Sequence, residues 1–194
     1  MTERAPVTAE NREIGRVAAE TFGGEPGVYT WWDDGRKNSV DILSCVGSPG
    51  EGLTAYATLT LSNHPLREVE NDLRVELLAA CRSEVTAIPQ MLSTCAFNVI
   101  ANGAIVGPGA VFQGALSFYE PGTTVPNILF TPPFFWAEGP KTLFMPTRTV
   151  AWLLALPISD AEFEHVKTAG YRSLLDIMED KRPNVFDIHR ASVV

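Results

Sequence analysis

The chain has few of the residues that most often carry chemistry. Its 194 residues include three cysteines and three histidines. Cys45, Cys81 and Cys95 are odd in number, widely spaced and set among apolar or small neighbours. That pattern excludes a disulfide framework or a paired zinc motif and predicts buried free thiols. Cations are also scarce, with 15 Lys and Arg against 23 Asp and Glu and a formal net charge of -8. Without clustered Lys and Arg to neutralise phosphates, nucleic acid is not an expected partner, and a basic protein suits the chain better. The longest strongly apolar run, Val150 to Leu156, falls far short of the roughly 20 residues that span a bilayer. The opening residues, Met1 to Pro6, lack the apolar core of a signal peptide. These absences predict a cytoplasmic protein with no membrane association, no cofactor and no metal.

What remains is ordinary globular composition, 45% apolar and 20% charged, which excludes disorder and predicts a single domain over residues 1–194. Residues 9–22 place Ile14, Val17, Ala18 and Phe22 on one helical stripe, with Gly23 and Gly24 as the stop. Two β-rich runs, 28–32 and 39–46, flank the turn Asp33-Asp34-Gly35 and read as a hairpin. A strand follows over 53–61. Residues 73–81 suit strand by alternation and helix by composition, and strand is the reading adopted. A helix is expected over 88–100, with Pro89 in its first turn. Residues 103–146 carry much Gly and Pro, with short strands expected at 110–118, 127–130 and 142–145.

The closing segment is the most completely specified. A strand over 149–156 is expected to end at Pro157 and hand over to a helix over 160–169. Ser159 and Glu162 supply a capping box there, and Ile158 and Phe163 a hydrophobic staple. Gly170, a helix over 171–181 and a last strand over 185–188 complete the reading. The resulting class is α/β of the α+β type, a mixed and mainly antiparallel sheet with helices packed against it.

No motif assembles a reaction centre. Glu162 and His165 have the Glu-x-x-His spacing of di-iron bundles, but no second copy exists, and Glu162 reads as a cap on a solvated helix face. His64 in Ser62-Asn63-His64-Pro65 has no nucleophile or orienting acid nearby in sequence. Gly107-Pro108-Gly109 cannot cradle phosphate, because proline removes a donor. His189 is expected to be half exposed in the last strand. Adjacent Trp31 and Trp32 must point to opposite faces of their strand. One of them, beside Asp33 and Asp34, is a candidate anchor for a partner protein.

Four pieces in this order resemble the suppressor-of-fused domain family: Ala57 to Pro65 followed by Arg74 to Leu77; Asn127 to Pro133; Val150 to Glu162; and Val185 to Arg190. Thr60 stands where the family carries a glycine in a Thr-x-Gly-x-Ser pattern, as in a divergent branch. The resemblance implies an α/β domain that binds proteins and has no enzymatic activity. Glu76, Asp187 and Arg190 match family residues and are expected to be structural. Animal members clamp a peptide with a further C-terminal domain that is not among these 194 residues, whereas bacterial single-domain members are proposed as immunity proteins.

The favoured expectation is a bacterial immunity-type protein that neutralises a toxin by masking it, through Trp31, Trp32, Asp33, Asp34 and His64. One alternative is a peptide-binding module acting by strand addition at an open sheet edge. Another is a small hydrolase using His64 with Asp41 or Glu76.

Overall fold

The computed structural model describes residues 6–66 and 72–194; residues 1–5, part of the segment read for a signal sequence, lie outside it. Helix α1, Ala9–Phe22, is followed by strands β1 (Glu25–Trp32), β2 (Ser39–Val46), β3 (Leu53–Thr58) and β4 (Leu73–Arg82). Helix α2 spans Ala87–Asn102. Strands β5 (Val111–Phe112), β6 (Asn127–Thr131), β7 (Leu143–Phe144) and β8 (Thr149–Ile158) precede helices α3 (Asp160–Ala169) and α4 (Tyr171–Lys181).

The strands form one 8-stranded sheet in the order β1-β2-β3-β4-β8-β6-β5, with β7 also on β8. The central β4–β8 pair is parallel and the other pairs are antiparallel. Parallel pairing needs a long crossover, and here it includes α2.

Strand alternation divides the core. Val40, Ile42, Leu77 and Phe130 pack with Met91 and Leu92 of α2 on one face. Leu43, Cys45, Leu78, Trp152 and Leu154 pack with Ile14, Ala18 and Phe22 of α1 on the other. On that second face, beyond α1, Leu129, Leu156 and Ile158 meet Leu174 and Met178 of α4. Each fully buried Leu or Ile contributes about 1.5–3 kcal/mol, so α1, α2 and α4 are fixed by these stripes.

The local signals behave as their chemistry requires. Ser159 accepts from Glu162 N while Glu162 accepts from Ser159 N, and Ile158 and Phe163 share one apolar cluster. An analogous box, Thr8 with Asn11, starts α1.

Four sequence expectations are corrected. The 53–61 strand stops at Thr58, and Leu61–Asn63 form a 3-10 turn. Of 110–118 only Val111–Phe112 is strand, because Gly114 takes φ +65° and the chain turns, with Tyr119 N donating to Leu116 O. Strand β8 runs through Pro157 to Ile158. The β4 ladder ends at Leu154, so no strand on that flank needs the N–H that proline lacks.

Residues 185–188 are not a strand. Asn184 Oδ1 accepts from Phe186 N, Asp187 Oδ1 accepts from His189 N, and Asp187 N and Arg190 N close successive turns. Such local side-chain bonds compete with ladder pairing. His189 is therefore exposed on a turn.

Candidate functional site

Buried polar groups are the first place to seek chemistry, and two clusters stand out. Glu76, on β4, is wholly buried. Its Oε2 accepts from the Thr58 hydroxyl and from Leu61 N at 3.2 Å, and its Oε1 accepts from Ser62 N at 3.0 Å. Thr58 in turn accepts from Leu77 N at 2.8 Å. The carboxyl thus closes the 61–63 turn onto β3 and β4. Burial pushes its pKa up, against the pull of these donors.

Thr60, where the family pattern has glycine, uses its hydroxyl to accept from Asp41 N at 2.9 Å, a bond no glycine can make. Asn63 Oδ1 accepts from Asn11 Nδ2 and Arg148 Nη2, both at 3.0 Å, tying the turn to α1.

Glu162 forms the second cluster and is fully buried. This corrects its reading as part of a solvated face. Arg190, 6% exposed, donates from Nη1 to Oε1 at 2.6 Å and from Nη2 to Oε2 at 2.7 Å. Val193 N donates to Oε1 at 3.0 Å, and Arg190 Nη2 reaches Pro157 O at 3.1 Å. Burial alone would raise the Glu162 pKa, but the guanidinium and the backbone donors outweigh it and hold it below the usual carboxylate range. His165 binds Ser173 Oγ at 3.0 Å, and among the described residues no group of three His, Cys, Asp or Glu could hold a metal ion. Asp187 meets Arg82 at 3.3 Å at the surface.

The sheet brings the other singled-out residues to one end. Trp31 and Trp32 end β1 opposite Val40 and Ser39, and Leu59 N donates to Asp41 O, so the 60–64 turn lies at the same end. Trp31 packs against the α2-side cluster, and Trp32 points to the opposite face, partly exposed. Asp33 is spent locally, accepting from Lys37 N, Asn38 N and Asn38 Nδ2; Asp34 is exposed. His64 is half-buried, and burial, with Arg74 nearby, pushes its pKa down. Glu76 has both oxygens engaged by the 58–62 segment, so the hydrolase reading loses one of its two acids. The three cysteines are free and buried.

Two surface features could not be located from the sequence. Strand β1 is an edge, with no described strand on its outer side, and Val28 and Tyr29 are 54% and 64% exposed. A groove of about 380 Å³ beside it is lined by Tyr29, Trp31, Ser44, Val46, Tyr56 and Pro89. Alternation in 25–32 is weak, and that blurred pattern was the available signal of an unpaired edge. A larger groove of about 660 Å³ lies between Pro132, Phe134, Tyr171, Leu175 and Pro183.

Together these features define a mixed α/β domain whose two buried carboxylates, Glu76 and Glu162, are engaged by internal donors and whose sheet has a long open edge at β1. The chain belongs to the suppressor of fused protein (SUFU) family, whose model matches residues 36–191. It is 42% identical over 190 residues to Immunity protein YqcF of Bacillus subtilis (strain 168), covering 97% of this chain and 99% of that protein.

In structure it is similar to a SUFU homolog from Neisseria gonorrhoeae FA 1090, with TM-score 0.71 and 13% identity over 95% of this chain and 97% of that one. A chain of the Sufu–Fu complex matches with TM-score 0.67 and 13% identity, over 97% of this chain and 93% of that one. Drosophila Suppressor of Fused matches with TM-score 0.56 and 14% identity, over 87% of this chain and 42% of that one. At these identities the solved structures establish the shared fold.

Proposed function

We propose that this protein is a bacterial immunity-type protein that neutralises a cognate toxin by binding and masking it, as a single cytoplasmic domain and without catalysis. The observation that carries the reading is the near full-length 42% identity to an immunity protein. The chemistry supports it: masking needs a complementary surface and no reactive group, and a net charge of -8 favours encounter with a basic toxin domain. No helix among the described residues is long and apolar enough to cross a membrane. Trp31, Trp32, Asp34 and His64 lie at one end of the sheet and are assigned to the contact surface; Asp33 shapes the turn beneath them. Glu76, Asp187 and Arg190 are assigned structural roles.

Co-expression tests this. Among cells producing candidate toxin domains from the same genome, those making the cognate one should survive only when this protein is also produced. Death in its presence, with both proteins folded and abundant, overturns the reading. A second reading, peptide capture by strand addition, is favoured by the open β1 edge, and the two converge if the captured strand belongs to the toxin.

A further inference from the structure

We infer that β1 is the docking edge, and that its occupant is an extended, cation-bearing segment of the toxin, added to the sheet as a further strand. The inference rests on the toxin-neutralising reading above. Its basis is which backbone groups face outward. Asp33 N donates to Asn38 O at 3.1 Å, which makes Asp33 and Asn38 a hydrogen-bonded pair at the mouth of the β1–β2 hairpin. Bonded and non-bonded pairs alternate along an antiparallel ladder, so in the observed register Trp31, Tyr29, Gly27 and Glu25 bond to β2.

Trp32, Thr30 and Val28 then turn both N–H and C=O away from the sheet, and Pro26 turns its C=O away. Two observations agree with this phase. Asp41, opposite Thr30, directs its C=O to Leu59 N on the β3 side, and Pro26, which has no N–H, falls at an outward position, where edge strands tolerate proline. A row of alternating donors and acceptors at this spacing is matched by another extended backbone.

The flanking surface specifies the occupant. On the α2 face, Tyr29, Trp31 and Tyr56 line the groove beside the edge, so alternate side chains of an added strand would enter it. The end of the sheet near Val46 and Ser83 is acidic. Glu25 pairs with Val46, and Ser83 N donates to Gly52 O. Exposed Glu25, Glu51 and Glu84 therefore gather at that end, against Arg82, which is shared between Glu84 and Asp187. At the other end Asp33 and Asp34 are balanced by Arg36 and Lys37. An added strand is thus best matched by an apolar residue over the groove and a Lys or Arg at the Glu25 end. A second copy of this chain would meet the same edge with like charge, -8 against -8, which disfavours self-pairing.

The test uses the 194-residue protein and the purified toxin domain that it rescues cells from, by calorimetry and amide exchange. Val28→Pro removes one outward N–H and leaves the β2 ladder intact; it should weaken binding by about tenfold, the equivalent of one hydrogen bond. Val28→Thr, which keeps the N–H, should bind like wild type. In the wild-type complex the amides of Val28, Thr30 and Trp32 should become protected; this readout decides the matter even if Val28→Pro fails to fold. Glu25→Lys with Glu51→Lys should slow association by about tenfold at low salt. Wild-type affinity in folded Val28→Pro, unprotected β1 amides in the complex, or a β1-paired dimer of this chain would each overturn the inference while leaving the toxin reading intact. Failure of wild type to bind the toxin would overturn both.

Discussion

Replacing Arg190 with alanine removes the cation that neutralises Glu162, whose carboxylate is 0% exposed and accepts from both guanidinium amines, Ser159 N and Val193 N. Breaking a buried ion pair from one side costs about 3–5 kcal/mol, because the remaining charge stays desolvated. For a chain of this size, with a melting shift of about 2–4 °C per kcal/mol, Arg190→Ala should lower Tm by about 6–20 °C in a circular dichroism melt. Glu162→Leu with Arg190→Met, which leaves no lone charge, should recover part of that loss. It should not recover all, since Ser159 N and Val193 N lose their acceptor. The pH dependence follows from the lowered Glu162 pKa: its contribution is fully present above the ordinary carboxylate pKa and is lost as pH falls below about 4.5. In Arg190→Ala that acid-side loss should vanish. A Tm within about 2 °C of wild type, or a double variant no more stable than the single one, would refute the assignment of this pair as a structural lock.

Other perturbations probe separate parts of the fold. Glu76→Ala strands Thr58 Oγ1, Leu61 N and Ser62 N and should cost at least about 3 kcal/mol by urea unfolding. Burial pushes the Cys81 and Cys95 thiols up to about 12 and raises Cys45, so native protein at pH 8 should resist a thiol reagent that labels all three after unfolding; rapid native labelling of Cys95 would contradict the packing. His64, with its pKa lowered by burial and then by Arg74, should release stability as pH falls below about 6.5, since the unfolded chain binds the proton more readily; His64→Gln should flatten that limb of the pH–stability curve. Gly24 has φ +72°, and a Cβ there would sit 2.2 Å from Val46 O, so Gly24→Ala should cost more than about 1 kcal/mol in the same assay.

Local signals made much of this fold legible. The capping box at Ser159, the α1 stripe and the hairpin around Asp33 each follow from chemistry within a few residues, and each is present. The 73–81 ambiguity resolves to strand because β4 is central and buried on both faces, which favours apolar runs over clean alternation. Non-local partners were harder to read. Glu162 looked like a solvated cap because nothing near it in sequence reveals Arg190, 28 residues on. Residues 185–188 carry strand propensity but sit among Asn184 and Asp187, whose side chains capture the backbone. Trp31 and Trp32 drew notice as aromatics, whereas the open edge beside them emerges only once strand order is known.

If this protein neutralises a toxin by occupying its surface, as proposed, an inhibition titration will be stoichiometric and reversible. Fixed toxin, at a concentration well above the dissociation constant, is titrated with this protein while residual toxin activity is followed. Toxin activity should fall linearly to zero at one equivalent and return when the two are separated. Inactivation of many equivalents of toxin by a trace of this protein, or loss that persists after separation, would show turnover instead of masking.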